Sequence, residues 1–166
     1  MVESSDHRAE PRQLKDWDEV RQSYCHLVGL AKRELRIFSP ALEPGVFEQR
    51  AFMEAVRTFL ITAHARRIHL LVLDGATALR KSPRLVELLR SFPSQVEIRR
   101  LGPHIQSDGA SYLLADEDRM VLRSDPKHYA GIVVDSDLGK VRPKRQEFVD
   151  YWAQSDPDPN LRRLQL

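Results

Sequence analysis

Apolar residues recur at intervals of three and four in two stretches of the first 65 residues. This spacing places them on one face of a helix and predicts helices over residues 17–34 and 47–65. Asp16 and Glu19 have the spacing of a capping box, so the first helix is predicted to begin after Asp16. Between the two helices, residues 35–39 predict a short strand.

The same alternation of helix and strand continues through the middle of the chain. Residues 68–73 are almost continuously apolar, which indicates a central strand that is covered on both faces. Ser82 and Pro83 supply an N-cap and a first-turn proline for a third helix, and residues 96–99 alternate like the next strand. This order predicts an α/β fold of three layers, with helices on both faces of a central mixed sheet.

A hairpin, one more strand and a final helix are predicted after Gly102. Their residues are 111–115 and 120–123 for the hairpin, 131–134 for the strand and 143–153 for the helix. The final helix carries Phe148 and Trp152 on one face. We therefore divide the chain into an N-terminal arm (1–13), one domain (14–155) and a C-terminal tail (156–166).

The composition fits one domain and restricts the possible chemistry. A chain of 166 residues with 42% hydrophobic residues can bury about two-thirds of its unfolded surface. The single Cys25 excludes an internal disulfide and a multi-cysteine zinc site. We find no apolar run long enough to cross a membrane and no secretory signal in the opening residues, so we expect a cytoplasmic protein without a membrane partner.

The overall charge does not by itself indicate nucleic-acid binding. The chain has 26 Lys and Arg residues against 24 Asp and Glu residues. A basic surface therefore requires local clustering, and the densest cluster holds Lys140, Arg142, Lys144 and Arg145. These side chains are candidate phosphate contacts; the alternative is a solvated helix face.

The order of elements, the spacing from Asp116 to Ser124 and the Phe148/Trp152 ending resemble one half of the phospholipase D superfamily. In that family the hairpin carries His-x-Lys-x-x-x-x-Asp, followed by Gly-Ser. In the matching register, Gly109 occupies the histidine position and Ser111 the lysine position. Asp116 and Ser124 agree with the motif.

The resemblance implies a domain without phosphodiesterase activity. In the family an imidazole attacks phosphorus and a lysine ammonium stabilises the transferring group, and neither Gly109 nor Ser111 can take these roles. The family builds its active site from two halves. A chain with one half therefore implies a homodimer in which both sites are defective.

The chain also resembles small bacterial domains of unassigned function that are encoded with, or fused to, acetyltransferases. This resemblance makes an acetyltransferase a candidate partner. The chain itself lacks the glycine-rich acetyl-CoA motif, a Walker loop and a dinucleotide fingerprint, so we predict no cofactor and no acetyltransferase activity.

Two alternatives stay open beside a non-catalytic interaction or anion-binding module. His104 or His128 is a candidate relocated nucleophile for a divergent phosphodiesterase, and the basic cluster is a candidate nucleic-acid site. We predict no metal site: the four aspartates near the hairpin and final helix are better explained as turn residues, namely Asp116, Asp118, Asp135 and Asp137.

Overall fold

A single mixed sheet forms the centre of the computed structural model, which describes residues 10–157. Its strands in chain order are β1 (Arg12–Gln13), β2 (Glu34–Phe38), β3 (Arg67–Val72), β4 (Val96–Leu101), β5 (Ser111–Ala115), β6 (Arg119–Arg123), β7 (Gly131–Val134) and β8 (Ser155–Pro157). The helices are α1 (Trp17–Leu30), α2 (Pro44–Phe47), α3 (Arg50–Thr62), α4 (Gly75–Lys81), α5 (Pro83–Arg90) and α6 (Leu138–Ala153). These elements confirm the predicted α/β class.

The strands follow the order β1-β7-β6-β5-β2-β3-β4-β8 across the sheet. Strands β2, β3 and β4 are parallel because helical crossovers connect them, whereas all other neighbours are antiparallel. The carboxyl ends of the parallel strands therefore meet the start of β5 and the end of β6. We call this side of the sheet the carboxyl edge; it lies at Phe38, Val72, Leu101, Ser111 and Arg123.

Two hydrophobic cores lie on opposite faces of the sheet. Helices α1 to α5 cover one face, where buried side chains such as Leu27 and Val56 pack on the strands. Helix α6 alone covers the other face and packs Val141 and Phe148 near Tyr112. The predicted three layers and mixed central sheet are therefore confirmed.

Helix α1 begins as predicted but ends earlier. The Asp16 carboxylate accepts a hydrogen bond from the Glu19 amide at 2.8 Å, and Glu19 accepts one from the Lys15 amide at 2.9 Å. The helix ends at Leu30 instead of residue 34. The reason is a long-range contact: Asp116 accepts hydrogen bonds from the amides of residues 32–34, as described below.

Helices α2 and α4 were not predicted, and α6 begins five residues earlier than expected. Asp74 accepts a hydrogen bond from the Thr77 amide at 3.0 Å and so caps α4. Asp137 caps α6 in the same way, through the Lys140 amide at 3.2 Å. Pro143 therefore lies inside α6 and does not mark its first turn.

Short strands protect both edges of the sheet. Strand β1 pairs with β7, and β8 pairs with β4. The end of the predicted arm and the start of the predicted tail thus belong to the sheet, while residues 1–9 and 158–166 lie outside the described part. Within residues 10–157, no helix combines the length and apolar character required to cross a membrane.

Candidate functional site

The four motif positions lie at opposite ends of the β5–β6 hairpin. Gly109, Ser111 and Ser124 are at the carboxyl edge, whereas Asp116 occupies the turn at the far end. Five residues of extended strand separate the two ends by roughly 15 Å. Asp116 therefore belongs to a different part of the molecule from Gly109 and Ser111, the positions at which the resemblance places the family's histidine and lysine.

Asp116 connects the hairpin turn to the segment between α1 and β2. Its carboxylate accepts hydrogen bonds from the amides of Lys32 at 2.9 Å, Arg33 at 2.8 Å and Glu34 at 3.1 Å. Its own amide donates to the Glu34 carbonyl at 3.0 Å. A carboxylate that satisfies three backbone amides has a structural role that needs neither the histidine nor the lysine of the motif.

Gly109 and Ser111 provide no nucleophile at the carboxyl edge. Ser111 is fully buried, and its hydroxyl donates to the Phe38 carbonyl at 3.3 Å. Gly109 has a φ of +80°, a conformation that is unfavourable for histidine, although a Cβ atom there would meet nothing within 4 Å. The space for a side chain is present at Gly109, but the backbone is not arranged for one.

Arg123 fills the interior beside Ser111. The two residues are direct partners across β5 and β6, and the arginine side chain has no solvent exposure. Its Nη1 atom donates to the carbonyls of Pro126 at 2.9 Å and His128 at 3.3 Å. Its Nη2 atom lies 3.6 Å from Oε1 of Glu43. The guanidinium therefore joins the β6–β7 loop to the β2–α2 connection.

Small residues on both neighbouring strands make room for Arg123. Its partner on β5 is Ser111, and its partner on β7 is Gly131. A Cβ atom at Gly131 would overlap the Leu122 carbonyl oxygen and approach Cγ of Arg123 to 2.8 Å. Lysine at residue 111 and arginine at residue 123 would compete for the same interior space, since both side chains project to the α1 side.

Aromatic rings and the partly exposed carboxylate of Glu43 complete a polar cluster around Arg123. The guanidinium carbon lies 5.4 Å from the centre of the Trp17 ring and 5.8 Å from that of Tyr24. Burial raises the pKa of Tyr24, although the nearby arginine opposes the shift. Glu43 accepts a hydrogen bond from the Ser39 hydroxyl at 3.0 Å. We call this set the buried arginine cluster: Tyr24, Ser39, Glu43, Ser111 and Arg123.

The buried arginine cluster pairs its charges internally but does not satisfy every polar atom. Among the described residues, hydrogen-bond partners are missing for Tyr24 Oη, Glu43 Oε1, and Nε and Nη2 of Arg123. The cluster contains no imidazole, thiol or amine. It can hold the fold together at the carboxyl edge, but it offers no group suited to attack phosphorus.

The two candidate histidines lie outside this cluster. His104 is exposed after β4, with its imidazole against Gly102, and β2 and β3 separate β4 from β5. His128 is exposed on the β6–β7 loop, with Nε2 3.6 Å from Oδ2 of Asp125. Neither loop lies at the hairpin turn that contains Asp116.

Three of the four predicted basic contacts are paired with carboxylates. Lys140 lies 3.8 Å from Asp137. Lys144 lies 3.3 Å from Asp108 and 3.2 Å from Glu147, and Arg145 lies 3.3 Å from Glu117. For Arg142, an exposed residue, residues 10–157 supply no ion pair. Since these partners offset most of the positive charge, this face of α6 is a weak phosphate site.

The four aspartates considered for metal binding have other partners. Asp116 and Asp137 hold backbone amides, while Asp135 and Asp118 lie 2.8 Å and 3.5 Å from Arg119. Across residues 10–157, no three His, Cys, Asp or Glu side chains group as metal ligands would.

Comparison with known families identifies the domain but assigns no activity. The model of a family described as a domain of unknown function, DUF7931, matches residues 16–164. No curated protein matches the chain.

Solved structures share the fold at low sequence identity. Nuc from Salmonella typhimurium, a phospholipase D family member, is 12% identical with a TM-score of 0.66, and the match covers 90% of this chain and 99% of Nuc. NucT from Helicobacter pylori is 10% identical with a TM-score of 0.64, and the match covers 90% of this chain and all of NucT. These neighbours confirm a phospholipase D-like fold.

The same fold also occurs within a longer DNA-binding protein. The archaeal chromatin protein TrmBL2 is 12% identical with a TM-score of 0.63, and the match covers 95% of this chain. This chain spans 57% of the TrmBL2 chain.

Proposed function

The chain belongs to the DUF7931 family, and we propose that it is a non-catalytic phospholipase D-like domain that acts as an interaction or anion-binding module. The observation that carries the proposal is the position of Arg123. Its fully buried side chain occupies the space beside Ser111, where the resemblance places the catalytic lysine. The positive charge is retained in the protein but is turned inward, toward Glu43.

This arrangement opposes phosphoryl transfer for two reasons. The reaction requires a nucleophile that can reach phosphorus and a cation that stabilises charge on the transferring group. Ser111 is buried without an adjacent base, and Arg123 is engaged by backbone carbonyls and a carboxylate. Opening the site would require breaking the ion pair inside the protein.

A divergent phosphodiesterase centred on His128 is the second candidate function. The observation in its favour is an open groove of about 420 Å³, whose lining includes Ser124, Asp125 and His128. The Asp125 carboxylate lies 3.6 Å from Nε2 of His128, next to the imidazole but beyond hydrogen-bond distance. The groove lies outside the buried arginine cluster, so hydrolysis there would need a phosphate-stabilising cation that its lining does not contain.

Phosphodiester hydrolysis distinguishes the two functions. We expect the purified chain to release no product above a mock purification from bis(p-nitrophenyl) phosphate, DNA or phosphatidylcholine vesicles. His128→Ala and His104→Ala variants serve as matched controls and should behave like the wild type. Sustained turnover that either substitution abolishes would overturn the non-catalytic proposal.

Our proposal includes a homodimer and an acetyltransferase partner. The near-complete coverage of Nuc and NucT supports a domain that corresponds to one half of a two-half assembly. Sedimentation at high protein concentration should show a dimer, and a purely monomeric protein would remove this part of the proposal. Gene neighbourhoods that lack an acetyltransferase would argue against that partner.

A further inference from the structure

Positive charge is concentrated in the helical layer that contains α2 to α5. Residues 44–91 include eight Lys and Arg residues but only four Asp and Glu residues. The rest of the chain carries more acidic than basic residues, since the net charge of the whole is +2. The domain is therefore more basic on this layer than its overall charge indicates.

Two of the four acidic residues in this layer bind backbone amides. Glu48 accepts hydrogen bonds from the amides of Arg84 at 3.0 Å and Leu85 at 3.2 Å, so it caps α5. Asp74 caps α4, and hydrogen bonds from Thr77 lower the pKa of its carboxyl group. These carboxylates balance the partial positive charge of helix N-termini and do not pair with the arginines.

A third carboxylate, Glu54, pairs with Arg50 at 3.0 Å. Six exposed cations of residues 44–91 then have no carboxylate within ion-pair distance among residues 10–157. They are Arg80, Lys81, Arg84 and Arg90 along α4 and α5, Arg57 on α3 and Arg67 on β3. This situation contrasts with α6, where most cations are paired.

A groove of about 330 Å³ runs between α3 and α5. Arg57 lies on the α3 side and Arg84 on the α5 side, while Met53 and Leu88 contribute apolar surface. Two carboxylates line the groove: Glu54 is paired with Arg50, and Glu87 has no ion pair among the residues that the structure describes. The two rims thus present cations toward the same space.

We infer that the groove between α3 and α5 binds the phosphate backbone of nucleic acid through Arg57 and Arg84. From Arg84 to Arg90 the cations of α5 extend over about 9 Å of helix, a length along which one DNA strand presents about two or three phosphates. Cations that are distributed along a helix match the regularly spaced phosphates of a polyanion better than they match a single compact anion. The inference rests on the proposed function, because it gives a non-catalytic domain its binding surface.

The groove fits other polyanions less well. A membrane surface would require exposed apolar side chains that insert among lipids, but Leu88 is buried and Met53 is half-buried. An acidic peptide would require a pocket for an anchoring side chain, whereas this groove is open and bordered by charges.

Fluorescence anisotropy with a labelled 20-base-pair DNA duplex tests the inference. We expect saturable binding at low salt that weakens as salt is raised. The double variant Arg57→Glu/Arg84→Glu should weaken binding at least about tenfold and reduce the salt slope by about 2. Arg142→Glu is the control, because it changes an exposed, unpaired arginine on α6. This variant should bind the duplex within about twofold of the wild-type affinity, since its charge lies away from the groove.

The inference would be overturned by absence of binding at low salt or by unchanged affinity in the double variant. A loss of affinity in Arg142→Glu equal to that in the double variant would also overturn it. Anionic vesicles or polyglutamate that bind as tightly and lose affinity equally in the double variant would also contradict it, since they would reveal an unselective polyanion surface. Circular dichroism confirms that each variant is folded. Gel analysis of the recovered duplex separates the two proposals, because cleavage would refute the non-catalytic function without changing the ranking of the variants.

Discussion

Arg123 is a charged side chain inside the protein, and its contribution to the stability of the domain depends on its partners. Removing one member of a buried ion pair leaves an uncompensated charge, which costs about 3–5 kcal/mol. Replacing both members with uncharged residues avoids that penalty. The Arg123–Glu43 pair is therefore expected to behave as a unit in mutagenesis.

We predict that Glu43→Gln destabilises the domain by about 3 kcal/mol and that Arg123→Met in the same chain restores part of the loss. Urea denaturation of the two single variants and the double variant measures the coupling. Arg142→Met, on the surface, should change the free energy of unfolding by less than about 0.5 kcal/mol. Additive effects of the two cluster substitutions would show that the pair does not form.

Asp116 also has a structural role that can be measured. Asp116→Ala should lower the free energy of unfolding by about 2 kcal/mol or more, because the amides of residues 32–34 lose a charged acceptor. The control is Ser124→Ala, the other position that agrees with the motif but is exposed. Equal stability of the two variants would contradict a structural role for Asp116.

The pairing of β6 with β7 depends on Gly131, the small residue opposite Arg123. Gly131→Ala would force the Cβ atom against the Leu122 carbonyl and the Arg123 side chain. We expect a loss of about 1–3 kcal/mol in thermal or urea unfolding. Gly29→Ala on α1 is the control, since its Cβ would meet nothing within 4 Å and alanine favours a helix. A neutral Gly131→Ala would show that the strands can separate without cost.

The C-terminal end of α6 is attached to the sheet through Trp152. Its ring stacks on His69 at 4.5 Å, and the guanidinium carbon of Arg99 lies 4.5 Å from the ring centre. Burial lowers the pKa of His69 below its ordinary value of 6.5, although Glu97 opposes the shift. Protonation of this histidine is therefore less favourable in the folded protein than in the unfolded chain.

The lowered pKa predicts pH-dependent stability. Well above pH 6.5 His69 is neutral in both states, and its contribution to stability is fully present. As the pH falls below 6.5 the unfolded chain gains the proton first, so stability decreases through the folded-state pKa. Melting temperatures between pH 7.5 and 5 should decline less in His69→Gln than in the wild type. His26→Gln, an exposed histidine on α1, should retain the wild-type slope.

Strands and helices with a clear local pattern could be predicted from the sequence. The apolar run of β3, and the two short stretches around a tight turn that form β5 and β6, place the bounds of these strands within about one residue. The end of α1 could not be predicted, since Asp116 lies more than 80 residues away. Strands of two or three residues, such as β1 and β8, exist only through their partners.

The candidate site was predicted only in part. Motif spacing singles out Asp116 and Ser124, and by the same register Gly109 and Ser111 are interpreted as the positions of the family's histidine and lysine. The role of Arg123 was missed because a charged residue at the end of a strand is ordinarily exposed. The sequence did contain one signal for this burial. Arg123 lies two residues after the buried Val121, so both side chains project to the same face of β6. Its small neighbours Ser111 and Gly131 become informative only when the strand pairing is known.

The whole molecule has the phospholipase D-like fold, and the carboxyl edge of its sheet is filled on the α1 side. Five helices cover that face, and the buried arginine cluster fills the space between them and the ends of β5 and β6. On the face covered by α6, the amine of Lys144 is paired with Asp108 and Glu147, and the imidazole of His69 is stacked on the Trp152 ring.

Calorimetric titration with orthovanadate tests the closed site most directly, because vanadate mimics the transferring phosphoryl group and does not require the right substrate. We predict no saturable binding of vanadate at the buried arginine cluster up to millimolar concentration, because the cation of the cluster already has a carboxylate partner. Binding at micromolar vanadate that is lost in Arg123→Met or His128→Ala would contradict the account and indicate a working phosphoryl-transfer site.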